Sequence, residues 1–106
     1  MTIYALSSGS GISGIAVIRI SGPETREIIT KMTSGSFPKA KQATLKKITK
    51  IDNKEVIDQG IVIWFPGPQS YTGEDMAEFH VHGSRAVIEA IHEEVSKIEN
   101  CRPADA

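Results

Sequence analysis

The sequence predicts an α+β domain of about five strands and two main helices. Three observations predict it. Five runs rich in β-branched and aromatic residues are separated by glycine, proline or asparagine. Two stretches repeat apolar residues at helical spacing, and each follows a residue able to cap a helix. The length, 106 residues with 40% hydrophobic content, suits one domain with one core.

Taken in order, Thr2 to Ser7 is a short apolar strand. Ser8 to Gly14 is a glycine–serine connection. No Gly-Lys-Ser/Thr follows it, and the next element is a strand, so a nucleotide-binding phosphate loop is not expected. Ile15 to Ile20 (IAVIRI) is β-branched and apolar on both faces, so it is expected to be central and buried. Arg19 interrupts it. A buried lone charge costs several kcal/mol. Either Arg19 closes an ion pair within the protein, or it ends at a pocket where an anionic ligand completes it.

Ser21 and Glu24 have the spacing of a capping box around Pro23, which predicts a helix to about Thr33. Ile28, Ile29 and Met32 form its inner stripe, and Gly35 ends it. Thr44 to Ile51 carries Lys46, Lys47 and Lys50, with Lys39, Lys41 and Lys54 nearby. That pattern fits a solvated edge strand, or else a modest RNA-facing patch. Asp52-Asn53 suits a tight hairpin turn. Val56 to Phe65 returns as a long strand with a buried end, and Gly60 inside it predicts a bulge or a close backbone neighbour.

The stretch that organises the chain is Phe65 to Gly83 (FPGPQSYTGEDMAEFHVHG). Pro66 and Pro68 remove backbone donors and fix φ, while Gly67 and Gly73 permit sharp bends, so this is a bent, stiff loop. In Met76 to His82, Ala77, Phe79 and Val81 point one way; Met76, Glu78, His80 and His82 point the other. The strand is either an edge with a solvated face or the wall of a binding site. Ser84 then caps a helix to about Ile98. Val87, Ile88, Ile91, Val95 and Ile98 lie inside; Glu89, Glu93 and Lys97 lie outside, with Glu93 and Lys97 one turn apart.

Net charge, −1, excludes a strongly cationic nucleic-acid module. Cys101 is the one cysteine, so an internal disulfide and a multi-cysteine zinc site are excluded, which fits a reducing compartment. No run approaches the roughly 18 apolar residues of a membrane span, and Met1 to Tyr4 lacks the features of a signal peptide. A soluble, cytoplasmic chain is expected. The final Cys101 to Ala106 stretch reads as a cut rather than a natural end.

His80 and His82 share a face with Glu78, roughly 7 Å apart by strand rise. Catalytic zinc wants three protein ligands held together, and the remaining histidine, His92, falls on an outward helix position; no metal is expected. His82 reads as a structural hydrogen-bonding group at the strand-to-helix turn. No nucleophile with an ordered base emerges. Arg19 and Glu78 are the candidate binding pair, each on a strand that otherwise wants apolar neighbours. A carboxylate accepts two parallel hydrogen bonds from an amidine-like edge, and a guanidinium grips a carboxylate or carbonyl.

Thr2-Ile3 with Ala5, Gly14 to Pro23, Asp58-Gln59-Gly60, the Phe65 to Gly83 stretch and Arg102-Pro103-Ala104 occur in an order that resembles the N-terminal domain of the MnmE (TrmE) family of tRNA-modification GTPases. The resemblance covers essentially the whole chain. It implies a mixed β-sheet unit like the tetrahydrofolate-binding domain of glycine-cleavage T proteins, pairing with a second copy into a homodimer. It implies a formyl- or methylene-tetrahydrofolate as ligand, with the family's folate-contacting arginine falling on Arg19 and its glutamate on Glu78. A further family lysine falls beyond Ala106. The full family enzyme acts with the flavoprotein MnmG on the wobble uridine of tRNA, using GTP hydrolysis. The helical and GTPase domains are absent from residues 1–106, so this chain is expected to be a non-catalytic folate-binding and dimerisation domain. The alternatives are a dimerisation scaffold with an incomplete pocket and a small metal-dependent hydrolase.

Overall fold

A computed structural model describes residues 1–7 and 14–104. The Ser8 to Gly14 connection, apart from Gly14 itself, lies outside the described residues. The strands are β1 (Thr2–Leu6), β2 (Ile15–Ser21), β3 (Thr44–Thr49), β4 (Val56–Phe65), β5 (Met76–His82) and β6 (Cys101–Pro103); the helices are α1 (Thr25–Met32) and α2 (Arg85–Ser96). They form one α+β unit. The sheet runs β3-β4-β5-β2-β1-β6. It is mixed: every neighbouring pair is antiparallel except β1 with β6. Among the described residues no helix is long and apolar enough to cross a membrane.

The core lies on one face. Ala16, Ile18 and Ile20 of β2, Ala77, Phe79 and Val81 of β5, and Val62 and Trp64 of β4 meet Ile28, Ile29 and Met32 of α1 and Ile91 and Val95 of α2. Alternation explains this: every second strand residue turns toward the helices. The other face keeps Ile3, Ile15 and Leu45 exposed. β2 is therefore central, as expected, but not buried on both sides. Ile15 and Arg19 stand on the open face, because no helix covers it.

Several expectations need correction. The sixth strand was not foreseen: residues 101–103 pair in parallel with β1, and three residues are too few for a periodicity signal. No capping box forms. Ser21 ends β2, and its hydroxyl bonds that of Thr72 at 2.9 Å. Glu24 occupies the N-cap position of α1 without a side-chain cap, and its carboxylate instead takes the Thr2 hydroxyl at 2.6 Å and the Asn100 amide at 3.3 Å. Helix α1 stops at Met32, before Gly35, because Thr33 is already extended.

The β3–β4 connection is a wider turn, with Lys54 at φ 61° and Asn53 Oδ1 accepting from Glu55 N at 2.9 Å. Gly60 marks no bulge; the register shift falls at Ile48/Thr49. Of the two expectations for Gly60, the close neighbour holds, since a Cβ there would strike the His80 carbonyl oxygen. β3 is an edge strand, yet Lys46 is buried, donating to the Ser34 carbonyl at 3.1 Å and to that of Ser36. Ser84 does cap α2, accepting from Val87 N at 3.1 Å. Lys97 pairs with Glu94 at 2.7 Å rather than with Glu93. Glu94 is buried, and its other oxygen accepts from Ile51 N at 2.8 Å, tying α2 to the β3–β4 turn.

Candidate functional site

The residues from Pro66 to Asp75 fold over the open face of the sheet and are pinned at their base. Gly67 N donates to Asp75 Oδ1 at 2.9 Å, and Gly22 N donates to the Asp75 carbonyl at 2.9 Å. Thr25 Oγ1 reaches the same carbonyl at 3.1 Å. The Gly67–Pro68 peptide is cis. The loop is thus tied to the β2–α1 junction, as a stiff proline-rich segment requires, while Tyr71 at its tip is almost fully exposed.

Between this loop and the sheet lies a cleft of about 530 Å³. Phe65 and Met76, opposite each other on β4 and β5, supply apolar surface; Gln69, Ser70 and Tyr71 come from the loop. Arg19 and Glu78 line it, and Lys41 lines it as well. A second depression of about 220 Å³ shares Arg19, Tyr71 and Met76 with the first.

Register places the two candidate residues side by side, since Arg19 of β2 faces Glu78 of β5. Arg19 Nη2 lies 2.8 Å from Glu78 Oε2, and Arg19 Nε donates to the same oxygen at 3.3 Å. His80 Nε2 lies 2.9 Å from Glu78 Oε1. An ionised carboxylate only accepts, so that nitrogen carries the proton. Burial pushes the Glu78 carboxyl up, but the hydrogen bonds from His80 and Arg19 and the nearby positive charge outweigh it and hold the pKa below its ordinary value. Of the two explanations for Arg19, the internal ion pair is present. The pair also borders a cleft: the Arg19 side chain is 45% exposed and that of Glu78 18%. Three protons occupy a carboxylate with about four acceptor sites, and among the described residues most guanidinium donors have no partner, so the pair can still take a ligand edge with both donors and acceptors.

The histidines do not come together. His82 Nδ1 lies 2.9 Å from Asp58 Oδ1, and its backbone N donates to Asp58 Oδ2 at 2.9 Å, so its structural partner is on β4. His92 does not point outward: it packs edge-on against the Tyr4 ring at 5.2 Å, and its Nε2 is buried without a hydrogen-bond partner among the described residues. Desolvation lowers its pKa. Among the described residues no three metal-binding side chains group together. The Cys101 thiol is pushed up to about 11 by burial and by the Glu24 and Glu27 carboxylates, so it stays protonated and a poor nucleophile.

Sequence reasoning did not single out Lys41, Phe65, Tyr71 and Met76 as cleft residues, or His80 as the second donor to Glu78. The alternation in β5 put Met76 and His80 on the face of Glu78 and was the available signal. For Lys41 there was none, because its place depends on an irregular segment folding back beside β4.

Comparison with known proteins places the same residues in a wider set. Residues 2–106 match the family model described as the GTP-binding protein TrmE N-terminus. The chain is 62% identical over 105 residues to the tRNA modification GTPase MnmE of Pelagibacter ubique, covering 99% of this chain and 24% of that protein. It is 48% identical over 105 residues to the tRNA modification GTPase MnmE of Sinorhizobium medicae, covering 99% of this chain and 23% of that protein. It is 47% identical over 105 residues to the mitochondrial 5-taurinomethyluridine tRNA synthase subunit GTPB3 of Danio rerio, covering 99% of this chain and 21% of that protein. The chain therefore spans about a quarter of the length of the curated relatives it matches.

Proposed function

The chain belongs to the family of the GTP-binding protein TrmE N-terminus, and on that premise we propose that it is the tetrahydrofolate-binding, dimer-forming N-terminal domain of a cytoplasmic GTPase that modifies the wobble uridine of tRNA. The observation that carries the ligand reading is the in-register Arg19–Glu78 pair at the edge of an apolar cleft. A pteridine ring presents an amino N–H that the acceptor site left on Glu78 can take, and a neighbouring carbonyl that the remaining guanidinium donors of Arg19 can take. Phe65, Met76 and Tyr71 give the ring and its aminobenzoyl extension apolar contacts. The ligand is a formyl- or methylene-tetrahydrofolate held as a one-carbon donor. On this reading the role of residues 1–106 is to bind the donor, and the chemistry on tRNA belongs to the proposed parent protein.

The dimer reading is supported by the open face, where Ile3, Ile15 and Leu45 are exposed on one side of a sheet whose other side is covered by helices. GTP hydrolysis, tRNA and the flavoprotein MnmG belong to the proposed parent protein. One observation favours a second reading, a scaffold that dimerises without taking folate: Arg19 and Glu78 are already paired with each other. Calorimetric titration with 5-formyltetrahydrofolate, alongside sedimentation, separates them. Saturable heat supports the folate site; a dimer that gives no heat supports the scaffold.

A further inference from the structure

The cleft has a third charged group that neither the ion pair nor the fold uses. Lys41 lines it, is exposed, and has no carboxylate partner among the described residues. Its backbone sits at φ 63°, which costs a residue with a Cβ roughly 1–2 kcal/mol. Among the described residues two other non-glycine residues share that conformation, and in each the side chain makes a contact within the protein: Lys54 Nζ donates to the Lys31 carbonyl at 3.0 Å, and the Asn100 amide reaches Glu24 at 3.3 Å. At Lys41 the conformation is held from the backbone, by Lys41 N donating to the Trp64 carbonyl at 2.7 Å and by a parallel bridge between Ala40 and Trp64. The side chain is left to the cleft.

The sheet fixes where this cation stands. Arg19, Glu78 and Ile63 lie in one row across β2, β5 and β4. The Ala40–Lys41 segment adds a further rung beside β4. At about 4.8 Å per strand, the Lys41 backbone is on the order of 14 Å from that of Arg19. The cleft thus has a donor–acceptor pair at one end, apolar Phe65 and Met76 between, and a lone ammonium at the other.

We infer that Lys41 binds the carboxylate end of an elongated ligand whose ring lies against Arg19 and Glu78. On the folate reading, on which this inference rests, Lys41 takes the glutamate tail and makes glutamylated folates the preferred form. An ammonium is suited to this: it is a compact charge on a flexible stem, able to follow one carboxylate or several.

The test is calorimetry on this chain and its K41Q and K41R variants, with folding checked by circular dichroism. The probes are 5-formyltetrahydrofolate as monoglutamate and as triglutamate, and 6-methyltetrahydropterin, which has no tail. K41Q is expected to weaken both folates roughly three- to tenfold, the range for a solvent-accessible charge contact, and to leave the pterin unchanged. K41R is expected to restore binding. The preference for triglutamate is expected in the parent chain, to shrink as salt rises, and to vanish in K41Q. Equal folate affinities in parent and K41Q overturn the role of Lys41 while the folate site stands. A parent chain that binds neither folate nor pterin removes the folate reading itself, and this inference with it.

Discussion

Arg19 and Glu78 sit directly opposite each other on neighbouring strands, with Nη2 and Oε2 2.8 Å apart and His80 bonded to the second carboxylate oxygen. One charge is 45% exposed and the other 18%, so the two residues are not equivalent. Removing the carboxylate changes the less accessible partner, which keeps its shape as an amide but loses its charge. The Glu78→Gln variant is expected to weaken 5-formyltetrahydrofolate binding by about 1–3 kcal/mol, because the amide presents a donor where an acceptor is needed. Its stability is expected to change by less than about 1 kcal/mol, as for a partly exposed pair. Dimer formation is expected to be unaltered. Calorimetry and urea denaturation read both quantities, and unchanged affinity removes Glu78 from the site.

Arg19→Ala is a different experiment. The guanidinium reaches solvent, so its own loss has a small effect on folding, but it leaves Glu78 with His80 as its remaining side-chain partner. The expected destabilisation is about 1 kcal/mol, together with a larger loss of ligand affinity. A variant that matches its parent in both would show that the pair plays no part in binding.

Acid should unfold the protein through specific carboxylates. Glu78 and Glu94 have pKa values lowered from 4.5, and Asp58 from 3.8. In each case burial pushes the value up, and hydrogen bonds with nearby positive charge more than reverse it. For Glu94 these come from Lys97 and the Ile51 N–H; for Asp58, from His82 and the Gln59 N–H. A carboxyl depressed in the folded state stabilises fully above its unfolded pKa and loses that contribution as pH falls through the folded value. The urea midpoint is therefore expected to fall below about pH 4.5. Glu94→Gln is expected to flatten that fall and to lower stability at neutral pH, because it removes the charge that pairs with Lys97 while its amide oxygen can still accept from Ile51 N. An acid limb identical to the parent's would show that Glu94 is not one of the groups responsible.

The fold was legible wherever a period was long enough to read. β2, β4, β5 and α2 each present several apolar residues at fixed spacing, and their cores follow from that. What failed was local chemistry decided by distant partners. Ser21 and Glu24 look like a helix cap until Thr72 and Thr2, remote in sequence, compete for the same side chains. β6 exists because β1 offers it an edge, not because residues 101–103 announce a strand. At the site, Arg19 and Glu78 stood out as charges in strands, and the register brings them together. Lys41 did not, since its position depends on Ala40 pairing with Trp64.

Gly60 gives a sharp test of sheet packing. It lies on β4 against β5, and a Cβ there would meet the His80 carbonyl oxygen and the Val81 side chain. The obstacle is partly backbone, which cannot rotate away. Gly60→Ala is expected to destabilise by about 1–3 kcal/mol, the usual range for an overpacked site. It also displaces His80, so Glu78 loses a well-placed donor and affinity for the ligand falls with stability. A chemical denaturation curve unchanged from the parent would mean that β4 and β5 separate more easily than their register implies.

His92 gives the opposite result. Its Nε2 is buried against the Tyr4 ring without a partner among the described residues, and desolvation holds its pKa below 6.5. A histidine depressed in the folded state binds its proton more readily when unfolded. Stability is then full above about pH 6.5 and declines as pH falls through the folded value. This window lies above that of the carboxylates, so the two can be separated. Replacing the ring by an apolar side chain of similar reach removes both the unpaired nitrogen and the proton. His92→Leu is expected to raise stability at pH 7 by about 1 kcal/mol and to abolish the decline that begins below about pH 6.5, while the fall below pH 4.5 remains. Denaturation midpoints of parent and variant at half-unit pH steps decide it: parallel curves across that window would mean that the His92 nitrogen finds a partner in solution.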